Sequence, residues 1–288
     1  MNTYIFDFGA NIGQNLEYFL AKADIVVAIE ANPALCEEIV YKFPKQISSG
    51  SLVVVNLAVC SSTDAYDQDL TFYVHRTRSV LSSLIKPPDH EMHNYQALKI
   101  KASTPGEIIR NFIGPQDRIE YIKIDLEGYD SFILNSLETD GVLFNHLSIE
   151  AHNITSLISA LNYKGITGFR LFDQKDVSQK YSNARIKTKE GSLVTHSFQD
   201  HSSGPFGEDL IGDYYSKADF LEYFLISEGG WKDIHITSIS NVLCKPLPLK
   251  FIVFSGLKRY FKVIYRNRIS ETRRSGIYRF RRKFLMYR

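Results

Sequence analysis

The chain opens with YIFDFGANIG (residues 4–13), an apolar run that ends in an acidic, glycine-bearing turn. Residues 14–22 form an amphipathic segment, and a second apolar run, residues 25–29, is closed by Glu30. This order predicts one β-α-β unit with a carboxylate, Asp7 or Glu30, near the carboxyl end of each strand. Ligands of open α/β sheets bind at that edge, so the unit predicts a ligand site.

The glycines of this turn are spaced differently from those of a dinucleotide-binding motif. That motif is G-x-G-x-x-G because a pyrophosphate must sit on a helix N-terminus. Here Gly9 and Gly13 are four residues apart, Asn11 stands where the motif has its second glycine, and no Walker lysine follows. The turn is therefore better suited to a nucleoside without phosphates, such as S-adenosylmethionine. Glu30 would then accept the two ribose hydroxyls.

Composition and cysteine usage indicate a globular protein of a reducing compartment. The 288 residues are 44% hydrophobic and 23% charged, which is ordinary for a globular chain. The three cysteines, an odd number at wide spacing, form no disulfide framework or zinc pattern. The first strand begins almost at the N-terminus and no apolar run reaches transmembrane length, so neither a signal peptide nor a membrane span is expected. The expected location is cytoplasmic.

Strand and helix signals alternate beyond the first unit. Further strands are predicted at 52–57, 119–124, 146–150 and 168–172, and helices at 33–43, 129–137, 154–161 and 218–227. Residues 70–75 indicate a hairpin arm, and Thr104 and Glu107 form a capping box at the start of another helix. Periodicity is lost over 178–212. Such alternation predicts an α/β fold with a doubly wound, mostly parallel sheet.

Four segments resemble the FkbM-type methyltransferases: residues 7–13 (DFGANIG), 30–33 (EANP), 121–128 (YIKIDLEG) and 148–152 (SIEAH). The third is the most specific and is similar to the family pattern K-I-D-x-E-G-x-E, although Asp130 replaces its final glutamate. The resemblance covers about residues 4–173. It implies the class I methyltransferase (Rossmann-like) fold, S-adenosylmethionine as donor, and usually a hydroxyl of a sugar or natural product as acceptor.

The predicted donor site lies at the ends of three strands. Its members belong to the first turn, to the end of the second strand and to the KID motif (residues 123–125): Asp7, Gly9, Asn11, Gly13, Glu30, Asn32 and Asp125. Asp7 accepts from the donor's ammonium group or polarises waters beside it. Alternatively, Asp7 and Asn11 only stabilise a tight turn. Asp125 is expected to grip the donor.

Methyl transfer to a hydroxyl requires alignment of donor and acceptor and removal of the hydroxyl proton. The candidate catalytic residues are Asp125, Glu127 and His152. Glu127 would orient the acceptor or its proton, and His152 is the candidate general base because histidine titrates near neutral pH. The alternative for His152 is a hydrogen-bonded residue that holds the turn. Asp130 is interpreted as a cap of the next helix, and no ligand spacing indicates a metal site.

The acceptor-recognition region is predicted at residues 178–240. Within it, residues 202–209 (SSGPFGED) combine two glycines and a proline with one aromatic residue, Phe206. Such a loop suits a sugar, with hydrogen bonds that select it and an aromatic ring that packs on its face. An ordinary turn is the alternative. Trp231 is either a stacking platform or, as the preferred interpretation, a core residue.

Basic residues are concentrated at the C-terminus. Residues 258–288 hold 12 of the 34 Lys and Arg residues and one acidic residue, so this segment carries +11 and the remainder −9. Apolar residues recur between them at helical spacing, which predicts a basic amphipathic helical tail over 246–288 beside a methyltransferase domain over 1–245. Two interpretations stay open: a peripheral anchor on an anionic membrane surface, or a helix docked on the body. No nucleic-acid partner is expected, and the oligomeric state is not predicted.

The sequence thus predicts an S-adenosylmethionine-dependent O-methyltransferase whose acceptor is a sugar in a glycan or glycan precursor. The alternative is a non-catalytic nucleoside-binding scaffold with a membrane- or partner-binding tail. A nicotinamide oxidoreductase is disfavoured by the missing glycine pattern.

Overall fold

The computed structural model describes residues 1–61, 69–126, 128–151, 154–227 and 230–247. The strands in these residues are β1 (Thr3–Phe8), β2 (Ile25–Glu30), β3 (Leu52–Asn56), β4 (Ala58–Val59), β5 (Asp69–His75), β6 (Tyr95–Ser103), β7 (Arg118–Ile124), β8 (His146–Glu150), β9 (Gly168–Asp173), β10 (Ala184–Lys187), β11 (Leu193–His196) and β12 (Lys232–Thr237). The α-helices are α1 (Leu16–Lys22), α2 (Pro33–Lys42), α3 (Pro44–Ser49), α4 (Pro105–Arg110), α5 (Asp130–Thr139), α6 (Ile154–Asn162), α7 (Val177–Lys180) and α8 (Lys217–Ile226).

The central sheet has seven strands in the order β3-β2-β1-β7-β8-β12-β9. The first five of these pair in parallel, whereas β12 runs antiparallel to both of its neighbours. The chain proceeds from β1 to β3 on one side and from β7 to β8 on the other. The strand order therefore reverses between β1 and β7, where an open α/β sheet forms its ligand crevice. The predicted α/β fold with a mostly parallel sheet, the class I methyltransferase fold, is confirmed.

Continuous burial explains why β1 and β2 are mostly apolar. All six residues of β1 are buried, as are five residues in each of β2 and β7. A parallel sheet that is covered on both faces requires such runs rather than alternation. The end of β1 is fixed beside the end of β7, because Asp125 N donates to the carbonyl of Phe8 at 3.0 Å.

Two smaller sheets lie outside the central one. Strand β5 pairs antiparallel with β6, as the hairpin pattern of 70–75 predicts, and β4 pairs in parallel with β6. Strands β10 and β11 form a hairpin within the segment where the sequence loses periodicity. The predicted capping box is also present: Glu107 N donates to Thr104 Oγ1 at 3.2 Å, and Thr104 N to Glu107 Oε2 at 3.3 Å.

Strand β12 is missing from the sequence-based prediction. Its residues, KDIHIT, alternate polar and apolar side chains and resemble an edge strand more than a central one. Asp233 and His235 are nevertheless buried, because β8 and β9 flank the strand on both sides. The antiparallel direction brings the N-terminal end of β12 to the rim formed by the carboxyl ends of the parallel strands.

The chain divides into two compact units. The first comprises Met1–Tyr214 and Gly229–Cys244 and contains the central sheet, and the second comprises Tyr215–Glu228 and Lys245–Arg288. In the second unit, the side chain of Ser216 accepts from Asp219 N at the start of α8, and Leu247 N donates to Asp219 Oδ1. The predicted basic tail lies outside the described residues from 248 onward. Over the described ranges, the helices are too short or too polar to cross a bilayer.

Candidate functional site

A cavity of about 300 Å³ opens at the carboxyl rim where the strand order reverses. Its wall is built from strand ends with the loops and helix starts that follow them, from the segment after β3, and from two loops late in the chain. These lining residues are Gly9, Asn11, Gln14, Ile29, Glu30, Ala31, Leu35, Asp125, Leu126, Tyr129 and Glu150, then Leu57, Ala58, Val59, Phe72, Ser79, Ser82, Ser83 and Leu84, then His201 and Trp231. The volume is at the lower end of the range for small-molecule sites.

The turn after β1 approaches the end of β7 closely. Gly9 and Ala10 both donate to the carbonyl of Ile29 at 3.0 Å, which ties the turn to β2. Gly9 has a φ of +89°, and a Cβ at this position would lie 2.0 Å from the carbonyl oxygen of Asp125. Glycine is required here because both the left-handed backbone and the close approach exclude a side chain.

Two backbone amides hold the carboxylate of Glu30 in the cavity wall. Asn11 N donates to Oε2 and Asn32 N donates to Oε1, each at 2.8 Å. Burial raises the pKa of Glu30 above its ordinary value, although the two amide hydrogen bonds act in the opposite direction. Each carboxylate oxygen has two lone pairs, so both oxygens keep acceptor capacity for ligand hydroxyls.

Asp7 lies beneath the cavity rather than in its wall. It is fully buried, and its Oδ1 lies 3.4 Å from Nζ of Lys123, which also contacts Asp125 Oδ2 at 3.0 Å. Burial raises the pKa of Asp7 to about 6, against the opposing effect of Lys123. Burial disfavours the ammonium form, yet Asp125 and Asp7 together raise the pKa of Lys123. A row of paired charges thus runs from the core to Asp125 at the cavity.

The cavity continues beyond Asp125 to the end of β8 and the start of β12. Glu150 ends β8, and Trp231 immediately precedes β12. Trp231 is 44% exposed, and its ring centroid lies 6.4 Å from that of His201. The preferred interpretation of Trp231 as a core residue is therefore wrong. Behind this wall, burial, reinforced by Asp125 and Glu150, raises the pKa of Asp233 well above its usual range.

The loop at residues 202–209 is anchored in the core. Asn15 Oδ1 accepts from Ser202 Oγ at 2.8 Å and from Ser203 N at 2.9 Å. The ring of Phe206 is 1% exposed and stacks on that of Tyr121 with a centroid distance of 4.0 Å. The interpretation of this loop's aromatic residue as a sugar platform is wrong, because the ring is enclosed by the core.

Four of the predicted donor-site residues line the cavity: Gly9, Asn11, Glu30 and Asp125. The remaining three are outside its lining: Asp7, Gly13 and Asn32. The side chain of Asn32 instead accepts from Ala34 N at the start of α2. Glu127 and His152 lie outside the described residues, so their roles stay predictions. Asp130 is the first residue of α5 and accepts from the amides of Leu126 and Gly128, which precede the helix, so it fixes the preceding turn; the N-cap position is that of Tyr129, and the interpretation of Asp130 as a helix cap is wrong.

Sequence reasoning missed several residues of the cavity wall. Glu150 had a usable signal, since it is an acid that ends a strand in the same way as Glu30. His201 had no local signal, because its position depends on contacts with a turn 187 residues earlier in the chain. One of these contacts is the hydrogen bond that Gln14 Nε2 donates to the carbonyl of His201 at 3.3 Å. Among the described residues, no group of three His, Cys, Asp or Glu side chains is placed to hold a metal ion.

Comparison with known proteins gives a family. The model of the methyltransferase FkbM domain matches residues 7–164. The solved methyltransferase FkbM from Methylobacillus flagellatus KT is similar at 19% identity and a TM-score of 0.34, over 56% of this chain and 36% of that one. Precorrin-6y C5,15-methyltransferase from Geobacter metallireducens GS-15 is similar at 10% identity and a TM-score of 0.31, over 81% and 79% of the two chains.

The present chain thus spans little more than a third of the length of the first solved structure. No curated protein matches the chain. The family model, in contrast, covers more than half of the 288 residues and includes the turn after β1, Glu30 and the KID motif. The chain belongs to the FkbM methyltransferase family.

Proposed function

We propose that the protein is an S-adenosylmethionine-dependent O-methyltransferase that acts on a hydroxyl of a sugar in a glycan or glycan precursor. The charge of the cavity carries the proposal. In the described ranges, the lining contains three residues of the types Asp, Glu, Lys and Arg, and all three are acidic: Glu30, Asp125 and Glu150. The donor has a cationic sulfur and an ammonium group and no phosphate, so such a wall attracts it. The same wall repels the pyrophosphate of a dinucleotide.

The residues present fit the donor at the β2 end of the cavity. Glu30 is oriented by the amides of Asn11 and Asn32 and retains lone pairs for the ribose hydroxyls. Leu35 on α2, together with Leu57 and other apolar residues of the segment after β3, provides a surface for a purine. When bound, the donor supplies a methyl group that is already activated by the sulfonium.

Asp125 stands at the centre of the rim, between the proposed donor and acceptor ends. Its carboxylate, held by Lys123 at 3.0 Å, is placed to accept hydrogen bonds from an ammonium or a hydroxyl. Removal of the acceptor proton is assigned to His152, which follows β8 in the chain, and orientation of the acceptor or its proton to Glu127, which follows β7. The protein's contribution would then be alignment and proton transfer, since the leaving group is already good.

Calorimetry with S-adenosylhomocysteine and with NAD tests the donor. We expect saturable binding of the former and none of the latter; binding of NAD alone would overturn the proposal. Transfer of a labelled methyl group to a glycan extract, followed by mass spectrometry, then tests the reaction. Donor binding without transfer to any glycan fraction would favour the scaffold alternative.

A further inference from the structure

We infer that Trp231 and His201 form the acceptor wall of the cavity and select an uncharged sugar ring, with Trp231 packed against the ring's C–H face. This inference rests on the proposed function and adds to it the residues and the class of acceptor. Both residues lie beyond residue 164, where the family match ends.

The order of the strands separates two ends of the site. Strands β2, β1, β7, β8 and β12 are successive neighbours in the sheet. The residues at or next to their rim ends are, in the same order, Glu30, Gly9, Asp125, Glu150 and Trp231. Four steps of about 4.8 Å place Trp231 roughly 19 Å from Glu30 along the rim. If Glu30 holds the ribose, then Trp231 and Glu150 stand on the far side of Asp125, where the acceptor must lie.

His201 is fixed in place by the core rather than left on a free loop. The residues that follow it, Ser202 and Ser203, are almost fully buried and both bond to Asn15 Oδ1. His201 itself has a φ of +63°, a left-handed conformation that costs free energy for a residue with a side chain. The surrounding hydrogen bonds hold this conformation and keep the imidazole beside Trp231 at the cavity.

The chemistry of this wall matches a neutral polyol. The half-exposed indole offers an apolar face, which packs on the axial C–H groups of a pyranose. Glu150 and the imidazole of His201 offer hydrogen-bond partners for hydroxyls around the ring. Glu150 and Asp125 would repel a phosphorylated or uronic sugar, so the acceptor ring is expected to be uncharged.

The chain contains one tryptophan, so its fluorescence reports on this wall alone. The probes are methyl glycosides of glucose, galactose, rhamnose and N-acetylglucosamine, methyl glucuronide as the anionic comparator, and catechol as a planar hydroxyl acceptor. Each is added to the full chain saturated with S-adenosylhomocysteine, and acrylamide quenching of Trp231 is measured. Methyl transfer from labelled donor is measured in parallel. We expect at least one neutral glycoside to accept methyl and to lower the quenching constant at least twofold.

The variant Trp231→Ala should raise KM for that glycoside at least tenfold, with kcat changed less than threefold and the Kd of S-adenosylhomocysteine within twofold. Trp231→Phe should retain most of the affinity, and His201→Ala should raise KM as well. Tyr41→Ala is the control, because Tyr41 is an exposed aromatic residue, 86% accessible, that does not line the cavity.

Three results would overturn the inference while donor binding still supports the proposed function. The first is turnover of a glycoside that leaves the quenching of Trp231 unchanged and whose KM is unchanged in Trp231→Ala. The second is a preference for the glucuronide or for catechol. The third is that no neutral glycoside accepts methyl and none protects Trp231 from quenching. Absence of S-adenosylhomocysteine binding would instead remove the proposed function, and the inference with it.

Discussion

Nζ of Lys123 lies 3.4 Å from Oδ1 of Asp7, and both residues are buried beneath the cavity. The contact joins the end of β1 to that of β7 at the place where the strand order reverses. The same ammonium reaches Asp125 in the cavity wall, so a change in the charge of Asp7 is felt at the site.

The carboxyl of Asp7 should make the native state less stable as the pH rises from about 4 to about 6. The pKa of Asp7 is about 6 in the folded chain, whereas its ordinary value, which applies to the unfolded chain, is 3.8. Between these two values the native state therefore binds more protons than the unfolded state. Relative to Asp7→Asn, the free energy of unfolding of the wild type should fall by about 2 kcal/mol between pH 4 and pH 6. Above pH 7, the difference in the free energy of unfolding between the wild type and Asp7→Asn should no longer change with pH.

Urea unfolding of both proteins at pH 4, 5, 6 and 7 measures this difference. Subtraction of the two curves removes the other titrating groups, which both proteins share. A difference that rises with pH, or that does not change, would contradict the raised pKa of Asp7.

Gly9→Ala should damage the protein far more than Gly50→Ala. Both glycines have positive φ, +89° and +74°, so both substitutions carry the backbone cost of about 1 kcal/mol. The Cβ at Gly9 would also lie 2.0 Å from the Asp125 carbonyl, whereas nothing lies within 4 Å of the Cβ at Gly50. Thermal unfolding and S-adenosylhomocysteine calorimetry should show a small loss of stability for Gly50→Ala, and loss of both stability and binding for Gly9→Ala. Equal effects would show that the close approach is not rigid.

Glu30→Gln should weaken binding of S-adenosylhomocysteine at least tenfold. A glutamine can accept only one of the two amide hydrogen bonds that Asn11 and Asn32 now donate, and its NH₂ group would face the other donor. A buried mismatch of this kind costs about 1–3 kcal/mol. Glu38→Gln is the matched control, because Glu38 is a partly exposed glutamate on α2 that forms an ion pair with Lys42 and does not line the cavity. An unchanged Kd for Glu30→Gln would argue against its role with the ribose.

Phe206→Ala should lower the free energy of unfolding by about 3–5 kcal/mol, because it removes a buried ring that stacks on Tyr121. Trp231→Ala should change it by no more than about 0.5 kcal/mol, since the indole is half exposed and lies at the cavity. Urea titrations of both variants decide which of the two aromatic rings is structural. A large loss for Trp231→Ala with none for Phe206→Ala would reverse the assignment.

Substitution of two of the three predicted catalytic residues, as His152→Ala and Glu127→Gln, should lower kcat about 10²-fold or more with little change in donor Kd. Loss of a general base or of proton orientation has effects of this size. Single-turnover transfer from labelled donor measures the chemical step directly. Near-wild-type rates in both variants would refute the catalytic assignment.

Local patterns predicted the half of the sheet that forms the donor end. Strands β1 and β2 are mostly apolar runs because both faces are covered, β7 carries four apolar residues among charged ones, and Glu30 and Asp125 end or directly follow their strands. Such signals need no knowledge of distant contacts. The position of Asp125 beside Gly9 follows from the strand order, which the alternation of elements indicates.

The acceptor end could not be predicted in the same way. Strand β12 carries Asp233 and His235 in the sheet interior, and its burial arises from neighbours that occur 60 to 90 residues earlier. The roles of Phe206 and Trp231 were exchanged in the sequence-based interpretation, because aromatic residues suit a core and a ligand wall equally well. Their burial in the folded chain, and the stacking of Phe206 on Tyr121, distinguish them.

The hydrogen bonds between Asn15 and the serines after His201 link residues 187 and 188 positions apart. Tyr18 on the next helical turn is likewise covered by Phe198 and Phe206. During synthesis the N-terminal strand and helix leave the ribosome first. Contacts with residues distant in sequence stabilise them only after a long loop has closed. A nascent chain that stops before Phe198 therefore presents α1 with Tyr18 uncovered by either ring, so that the first helix of the protein is among the last to be completed.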